Sequence, residues 1–311
     1  MLICVKNIFF RVFVFSGFRV SPFTSISVNM YIKWGVDEAT LSEVGTKSYY
    51  LKEVKMLGIR TPEGFTLTTQ AFLDFISFNE IEDKIKGLLE VKEGWKEIEE
   101  LLALCSFPDV MADEITNACK EIRTPFAVRS SSIIEDLGRS SFAGLYETSL
   151  NVRTENLFES IIKCWQSAFS FRCLTHLRKM GFKITEVSNM AMAVIIQEMV
   201  KPSFSGVMFT VNPATGDGSK IFLEYSAGLS EGILSGGTSP ISLIVDKVTD
   251  RIEGENMLGE GRLRELVALG RKIEKHFGCY QDIEWAIDSD IVILQARPET
   301  IWNRKRLSLQ N

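Results

Sequence analysis

The sequence of 311 residues lacks several patterns by which common classes of protein are recognised. It has only two histidines, and its six cysteines are scattered without a C-x-x-C pair, which argues against structural zinc and against a disulfide framework. The net charge of −5 gives no sign of the basic surface with which nucleic-acid-binding modules neutralise phosphates. We therefore expect no nucleic-acid partner, and the cysteine pattern favours a reducing cytoplasm.

Standard nucleotide-binding and nucleophile motifs are also missing. The glycine-rich stretch 226–240 has neither a Walker lysine nor a G-x-G-x-x-G pattern after a strand, so it is not one of the common phosphate-binding loops. No Ser-His-Asp or Cys-His arrangement can be argued. Hydrophobic residues make up 45% and charged residues 24% of the sequence, which is ordinary for a folded protein. The length predicts one large domain with lobes or two tightly joined domains.

Acidic residues are absent from the first 29 positions, where Lys6, Arg11 and Arg19 are the only charges. Arg11 and Arg19 interrupt the apolar stretch, which falls short of the roughly 20 residues that span a bilayer, so no transmembrane segment is expected there. Three interpretations stay open for residues 1–29. They are a targeting peptide, a disordered or docking extension, or an untranslated segment preceding a true start at Met30.

The remaining sequence divides into a helical front part and a sheet-rich back part. Residues 46–57 have a helical pattern with Thr46 as the expected N-cap, Lys47 in the first turn and Gly58 as the C-terminal glycine. A long amphipathic helix is expected over 154–180. This order of elements predicts an α+β fold. Strands are expected at 191–200, 205–210, 221–225, 241–245, 282–287 and 291–296, with a helix at 261–277.

The last two strands are expected to form a hairpin with one polar face. In the first strand, alternation places Asp282, Glu284 and Ala286 on the same face. In the second strand, alternation groups Gln295 with Arg297. The face opposite Glu284 is then expected to hold Ile283, Trp285 and Ile287, and the face of Gln295 is expected to include Ile291 and Ile293.

The length of the hairpin loop decides whether Glu284 meets Gln295. A loop of two or four residues sets Glu284 opposite Gln295, because opposed residues share a face, whereas a three-residue loop sets Ile283 opposite Gln295. The even loop gathers a carboxylate, an amide oxygen and the guanidinium of Arg297. Oxygen ligands suit Mg²⁺, and an Arg fork suits a phosphoryl group. The alternative is a solvent-facing polar strip with a surface ion pair.

Two further basic residues are candidates for phosphate contacts. Lys47 lies at a helix start, where backbone N–H groups and the helix dipole favour anions, although a solvated lysine is equally compatible with that position. Arg129 ends the strand-like run 126–128 and enters a turn rich in serine. It could hold a phosphate, or it could pair with Glu135 or Asp136.

Read together, these segments resemble one known domain. The order of motifs resembles the nucleotide-binding domain of phosphoenolpyruvate synthase and pyruvate phosphate dikinase, which rifampin phosphotransferase shares. The resemblance covers residues 30–300 in one consistent order. The motifs are G-T-K at 45–47, I-R-T-P-E-G-F at 59–65, A-V-R-S-S at 127–131, S-F-A-G-L-Y-E-T at 141–148, I-I-Q-E-M-V at 195–200, S-G-V-M-F-T-V-N-P-A-T-G-D at 205–217, F-L-E-Y-S-A-G-L-S-E-G at 222–232, Q-D-I-E-W-A at 281–286 and L-Q-A-R-P-E-T at 294–300.

The resemblance implies an ATP-grasp-like fold in which two lobes, residues 30–190 and 191–311, enclose ATP. It implies that Lys47 and Arg129 contact the phosphates, that Glu284 and Gln295 hold Mg²⁺, and that Arg297 stabilises the transferring phosphoryl group. Lys47, Arg129 and Arg297 are thus the predicted catalytic residues. The remaining nucleotide contacts implied by the resemblance are Gly144, Thr148 and Ser149 along the nucleotide and Gln197 near the adenine.

Some positions depart from the family pattern. Thr46 stands where the family usually has a second glycine before its lysine, and Tyr280 stands where a proline is frequent before Q-D-I-E-W. No histidine lies in a recognisable phosphohistidine motif. We therefore expect an ATP-dependent phosphotransferase that passes a phosphoryl group to a histidine on a separate protein or domain, with a further substrate domain as partner. The alternatives are a rifampin-phosphotransferase-like antibiotic kinase module and a nucleotide-binding regulator without turnover.

Overall fold

The computed structural model describes residues 30–91, 93–134, 145–182, 184–228 and 240–308, and the residues from Tyr31 onward form one compact unit. Two antiparallel sheets and nine helices are found within these ranges, which confirms the α+β prediction. In the described ranges, no helix combines the length and the apolar character that a bilayer crossing requires.

The first sheet has five strands in the order β1-β2-β5-β3-β4. Most of its strands alternate between one apolar face packed on helices and a second, more polar face. Its strands are β1 (Ile32–Trp34), β2 (Gly64–Leu67), β3 (Phe126–Ser132), β4 (Thr148–Val152) and β5 (Met192–Glu198).

The second sheet has six strands in the order β11-β10-β6-β7-β8-β9, so that β11 lies at an edge. The six strands expected between residues 191 and 296 are all present within a few residues of their predicted bounds. Five of them belong to the second sheet, which consists of β6 (Phe204–Phe209), β7 (Lys220–Ala227), β8 (Ile241–Asp246), β9 (Ile252–Gly254), β10 (Gln281–Ile287) and β11 (Ile291–Pro298).

The strand β5 follows the predicted lobe boundary at residue 190, yet it lies in the centre of the first sheet between β2 and β3. Its two neighbours are more than 60 residues upstream in the sequence. Local patterns identify the strand but not its partners, because strand pairing is decided by contacts between distant segments. The first sheet therefore reaches to residue 198, beyond the predicted boundary.

Seven helices precede the second sheet. The first of them, α1, is interrupted at Gly45, whose φ of 70° is not helical. The seven helices are α1 (Leu41–Met56), α2 (Thr69–Phe78), α3 (Glu82–Leu89), α4 (Gly94–Ala103), α5 (Asp109–Cys119), α6 (Leu157–Ala168) and α7 (Phe171–Lys179). Within the back part lie α8 (Glu260–Phe277) and α9 (Thr300–Ser308).

The continuous helix predicted over 154–180 is wrong, because the structure has two helices there. Ser170 adopts a non-helical conformation with a ψ of 150°, and its hydroxyl oxygen accepts a hydrogen bond from the backbone N–H of Cys173. Serine competes with helix continuation in this way because its side chain can satisfy the first N–H groups of a new helix. The chain therefore ends α6 and begins α7 at this residue.

Two apolar cores hold the fold together. The first lies between the first sheet and helices α2 to α7 and includes Phe72, Phe75 and Trp165, which are fully buried. The second lies between the second sheet and α8. Val54 near the end of α1 and Ile59 after it belong to the second core, although the start of α1 is hydrogen-bonded to the first sheet. The helix α1 therefore bridges the two sheets.

Candidate functional site

Arg129 joins the two sheets at the point where the polar hairpin residues were predicted. Its Nη2 atom donates to Glu284 Oε2 at 2.7 Å and to Gln295 Oε1 at 2.9 Å. Its Nη1 atom donates to the backbone oxygen of Leu294 at 3.1 Å. The structure thus brings one predicted cation from the first sheet onto two predicted oxygen ligands of the second sheet.

Glu284 pairs with Gln295, which is one of the two registers that the sequence left open. Ile287 pairs with Ile291, so the loop has three residues, the length that by alternation alone excludes this pairing. Uninterrupted pairing from that loop would set Ile283 against Gln295. A β-bulge next to Glu284 accommodates Leu294 as one extra residue and moves Gln295 opposite Glu284.

The same bulge corrects the predicted faces of β11. Ile291, Ile293 and Ala296 pack in the second core, so the expectation that Ile291 and Ile293 share a face with Gln295 and Arg297 is wrong. The extra residue reverses the alternation, which sends the isoleucines inward and the polar pair outward. On β10 there is no such break, and the predicted inward set is confirmed. That set is Ile283, Trp285 and Ile287.

Backbone groups at the bulge form hydrogen bonds with residues outside the second sheet. The N–H of Ile293 donates to the backbone oxygen of Arg60 at 2.9 Å, and the oxygen of Leu294 accepts the hydrogen bond from Arg129. Buried backbone groups need such partners, because leaving them unpaired costs free energy. Arg60 adds two hydrogen bonds to Asp288 in the hairpin loop, at 2.6 and 3.0 Å. The segment after α1 is therefore fixed to the second sheet.

Arg297 lies beside this cluster and is held by Asp282. The Nε and Nη2 atoms of Arg297 both donate to Asp282 Oδ2, at 2.9 and 2.7 Å, and the two residues are paired across β10 and β11. Burial raises the pKa of the Asp282 carboxyl despite the nearby guanidinium. Sequence reasoning placed Asp282 on the polar face without giving it a role. Its position two residues before Glu284 was the signal available.

Lys47 reaches the same region from the start of the main segment of α1. Its Nζ atom donates to the backbone oxygen of Ser130 at 3.3 Å, next to Arg129 on β3. The positive φ of Gly45 breaks the helix just before Lys47, and a Cβ atom on Gly45 would lie 2.0 Å from the backbone oxygen of Ser131. Only glycine allows this approach, so Gly45 sets the position of Lys47.

Thr46 does not cap the helix as predicted. Its hydroxyl donates to the backbone oxygen of Ser132 at 2.9 Å, and Thr40 is the N-cap residue of α1. The backbone N–H of Ser48 donates to the hydroxyl of Ser131 at 3.1 Å. The start of the α1 segment after Gly45 is thus held by the C-terminal end of β3, where Ser131 and Ser132 supply the hydrogen-bond acceptors.

Positive charge dominates the electrostatics around Glu284. Burial alone would raise the pKa of its carboxyl, but Arg129, and then Lys47 and Arg297, outweigh burial and hold the pKa below its usual value. The side chain of Glu284 remains 40% exposed, while that of Arg129 is 13% exposed. The carboxylate is therefore ionised at neutral pH and reachable from solvent at the junction of the two sheets.

Gln197 lies on the same face of the first sheet as Arg129. It pairs with Ala127 on β3, one same-face position away from Arg129, and it is only 3% exposed. Within the described ranges its Oε1 atom has no hydrogen-bond partner. Gln197 lines a narrow space between α1 and the first sheet, together with Gly64 and Thr66. Gln197 was predicted to lie near the adenine, and an amide oxygen without a partner in such a place is available to a hydrogen-bond donor of a ligand.

Of the three residues predicted along the nucleotide, the structure brings one, Thr148, to the face of Arg129. Thr148 pairs with Arg129 across β3 and β4, shares its face and is exposed. Ser149 pairs with Val128, whose side chain is in the first core, so its side chain lies on the opposite face and is not brought to the cluster. Gly144 lies outside the described residues. So do Glu135 and Asp136, the alternative partners for Arg129.

Glu284 and Gln295 are suited to hold a divalent cation together with other oxygens. Their Oε atoms converge on a single positive group, Arg129 Nη2, which shows that the pair can direct two oxygens at one cation. Mg²⁺ is usually bound by one or two carboxylates with waters and substrate phosphates. In the described part of the chain, no group of three or more His, Cys, Asp or Glu side chains could hold a metal by itself. The pair therefore fits Mg²⁺ as two of its oxygen ligands, with waters and phosphate oxygens as the others.

Comparison with known proteins matches the chain to one family. The sequence model described as "Pyruvate phosphate dikinase, AMP/ATP-binding domain" matches residues 41–262 and 251–309. A rifampicin phosphotransferase from Streptomyces sp is 35% identical over 306 residues, which cover 85% of this chain and 35% of that protein. A probable phosphoenolpyruvate synthase from Methanocaldococcus jannaschii is 31% identical over 320 residues, which cover 87% of this chain and 27% of that protein.

The chain thus spans about a third of the length of these relatives or less. Among solved structures, a D-alanine-D-alanine ligase from Helicobacter pylori aligns with 83% of this chain and 54% of its own. Its sequence identity is 11% and its TM-score is 0.35, which is too low to carry an argument.

Proposed function

The chain belongs to the pyruvate phosphate dikinase AMP/ATP-binding domain family, and from this premise we propose that it binds Mg²⁺-ATP between its two sheets and donates a phosphoryl group from it. The observation that carries the proposal is the convergence of Arg129 from the first sheet with Glu284 and Gln295 from the second. We propose that the two sheets are the cores of two ATP-grasp-like lobes, divided between β5 and β6 at residues 199–203.

Three cations are available for the phosphates. Arg129 on β3 donates to Glu284, Lys47 donates to the backbone oxygen of Ser130 next to Arg129, and Arg297 follows Gln295 by two residues on β11, which supports a role for all three at one site. Phosphoryl transfer has a loose transition state in which charge spreads over the phosphoryl oxygens, and catalysis consists mostly of positioning and charge neutralisation. In the proposed mechanism Lys47 and Arg129 hold the phosphates and Arg297, kept in place by Asp282, stabilises the transferring group.

Glu284 and Gln295 would hold Mg²⁺ in this mechanism, and Gln197 would accept a hydrogen bond from the adenine amino group. When bound, Mg²⁺ supplies neutralisation of the phosphate charge. The chain's own side chains orient the nucleotide between the two sheets. Thr148 would also lie along the nucleotide, a role supported by its exposed position opposite Arg129.

The acceptor is proposed to be a histidine on a separate domain or protein, with a further substrate domain. The two histidines of this chain lie on α7 and α8 rather than on the strands that carry the cluster, and His276 contacts Glu53 at 3.0 Å. The matched part makes up only 35% of the rifampicin phosphotransferase and 27% of the phosphoenolpyruvate synthase described above, which leaves room for such domains in those proteins.

A second candidate is an antibiotic kinase module. The 35% identity to a rifampicin phosphotransferase supports it, because that relative is as similar to this chain as the phosphoenolpyruvate synthases are. A regulator that binds nucleotide without turnover has less support. The cluster of three cations and two oxygen ligands exceeds what binding alone requires.

One experiment separates these proposals. The purified chain is incubated with Mg²⁺ and ATP labelled at the β or γ position, alone, with a candidate histidine-domain protein, or with that protein and rifampicin. We expect labelled phosphohistidine and AMP in the second arm. Label on rifampicin would favour the antibiotic kinase. Nucleotide binding without any transfer would favour the regulator, and the absence of both binding and transfer would refute the proposed function.

A further inference from the structure

Arg129 occupies the position that the proposed function assigns to a metal ion. The two oxygens proposed as Mg²⁺ ligands, Glu284 Oε2 and Gln295 Oε1, both accept a hydrogen bond from Arg129 Nη2. Arg129 Nη2 lies 2.7 Å and 2.9 Å from the two oxygens, so a divalent cation bound between the same oxygens would overlap with it and would carry the same sign of charge. In this conformation Arg129 and the metal therefore compete for one pair of oxygens.

The guanidinium is also incompletely satisfied where it lies. Its Nη1 and Nη2 atoms have three acceptors, but within the described ranges the buried Nε atom has no hydrogen-bond partner. An unpaired buried donor costs free energy, most of all in a charged group. A phosphate, with several strongly accepting oxygens, could satisfy the planar fork more completely.

Two neighbours of Arg129 indicate where the phosphates of a bound nucleotide would lie. Thr148, its partner across the strands, is exposed on the same face, and Lys47 approaches from the adjoining start of α1. Anions are favoured at such a helix start. A change of side-chain rotamer would carry the guanidinium from Glu284 toward this region without any change of strand pairing.

We propose that Arg129 holds the place of the divalent cation in the nucleotide-free chain and moves onto the phosphates when Mg²⁺-ATP binds. This inference rests on the proposed function. Its consequence is that the metal ligands are closed to free metal and become available only when a phosphate draws Arg129 away. Metal and nucleotide binding are then positively coupled, and by linkage the coupling is the same in both directions.

The test uses Mn²⁺ alone, titrated into the full chain without nucleotide and followed by the electron paramagnetic resonance of free Mn²⁺. Arg129→Met should bind Mn²⁺ about tenfold more tightly than the wild type, a difference of about 1.4 kcal/mol. Lys47→Met is the matched control. It removes another positive charge that acts on Glu284 but leaves the hydrogen bonds of Arg129 in place, so its gain should be clearly smaller.

Two further variants keep the test decisive. The double variant Arg129→Met/Glu284→Gln should lose the gain, which locates the new affinity at Glu284. If Arg129→Met fails to fold, Arg129→Lys replaces it, since a lysine keeps the charge but not the two-oxygen fork, and it should show an intermediate gain. Tight binding of Mn²⁺ by the wild type alone, or equal gains in Arg129→Met and Lys47→Met, would overturn the inference.

A separate titration of wild type with Mg²⁺-ATP by calorimetry distinguishes the two proposals. Binding of Mg²⁺-ATP without the Mn²⁺ gain would leave the proposed function standing and remove only the role of Arg129 as a placeholder. The absence of Mg²⁺-ATP binding would remove the proposed function itself.

Discussion

The two sheets contribute different chemistry to the same site. From the first sheet and the helix that starts at its edge come two cations, Lys47 and Arg129, whose positions depend on close backbone contacts at Gly45 and on regular strand pairing. From the second sheet come the two oxygens proposed as metal ligands and one arginine, all on a hairpin with a bulge. Neither sheet carries all of the residues of the proposed site, so the proposed binding depends on how the two sheets are joined.

The difference also shows how each sheet sets its geometry. On the first sheet a missing side chain at Gly45 lets α1 approach β3, whereas on the second an additional residue at Leu294 lets β11 turn its polar side chains outward. Gly45 acts within the first sheet and its helix, whereas Leu294 also contacts the other sheet through its hydrogen bond from Arg129. The comparison predicts that changes to the hairpin side chains Glu284 and Arg297 strongly reduce phosphoryl transfer. Changes to the contacts that join helix, loop and sheet, at Gly45 and at the Arg60–Asp288 pair, should mainly reduce stability.

The largest expected effect on phosphoryl transfer comes from replacing Glu284. Glu284→Gln keeps the size of the side chain and a hydrogen-bond acceptor for Arg129 but removes the carboxylate charge, so phosphoryl transfer should fall by at least about 10²-fold. Transfer of label to a histidine-domain protein measures the effect. Glu253→Gln, on the exposed strand β9, is the matched control and should transfer at the wild-type rate. A wild-type rate in Glu284→Gln would remove Glu284 from the mechanism.

The second largest loss of phosphoryl transfer is expected for Arg297→Ala. It removes the cation proposed to act on the transferring group, so transfer should fall by about 10²-fold while Mg²⁺-ATP binding, measured by calorimetry, changes much less. The variant also leaves the buried carboxyl of Asp282 without its partner, and some loss of melting temperature is expected. Equal losses in binding and in transfer would show that Arg297 acts in ground-state binding instead.

At the contact between α1 and β3, Gly45→Ala should destabilise the fold and displace Lys47. Its Cβ would meet the backbone of Ser131 at 2.0 Å, at a φ of 70°, so we expect a loss of more than about 2 kcal/mol in urea unfolding. Gly58→Ala is the control, because Gly58 has a φ of 73° with nothing within 4 Å of the added atom. It should lose about 1 kcal/mol. Equal losses would mean that backbone conformation, not the close approach, is what Gly45 provides.

The smallest effect concerns pH and the Arg60–Asp288 pair. The hydrogen bonds from Arg60 hold the pKa of the Asp288 carboxyl well below its usual range. The unfolded chain therefore binds a proton more readily than the folded one as pH falls below about 5, and stability is lost in that direction. Asp288→Asn should flatten this acid-side loss. Urea unfolding between about pH 6 and pH 3 measures it, and a slope identical to wild type would contradict the prediction.

The hairpin shows how far sequence reasoning carries and where it stops. Alternation on β10 was sufficient to put Glu284 opposite the apolar face, since that strand is regular. On β11 the four consecutive apolar residues 291–294 conceal the phase, because an uninterrupted apolar run is compatible with either alternation. The bulge within that run was therefore invisible to pattern counting, and the pairing of Glu284 with Gln295 stayed one of two open registers until the structure showed it.

Other differences have similar physical causes. The break at Ser170 depends on one side-chain hydrogen bond that competes with an otherwise helical pattern. The place of β5 in the first sheet depends on contacts with segments far away in the sequence. Position in the sequence made Lys47 and Arg129 candidates for phosphate contacts with open alternatives, and the role of Gln197 came from family resemblance alone, because a single basic or amide residue has no pattern of its own. The common face of Arg129 and Gln197 became visible only through strand register.

The bulge at Leu294 has a consequence for the order of folding. The hairpin that contains it is local in sequence, so it can form early and at low entropic cost. Its exposed backbone groups then present fixed attachment points to Arg60 and to Arg129, the latter 165 residues upstream of Leu294. We expect the C-terminal hairpin to act as a template on which the earlier part of the chain is aligned, so that assembly of the site is among the last events of folding.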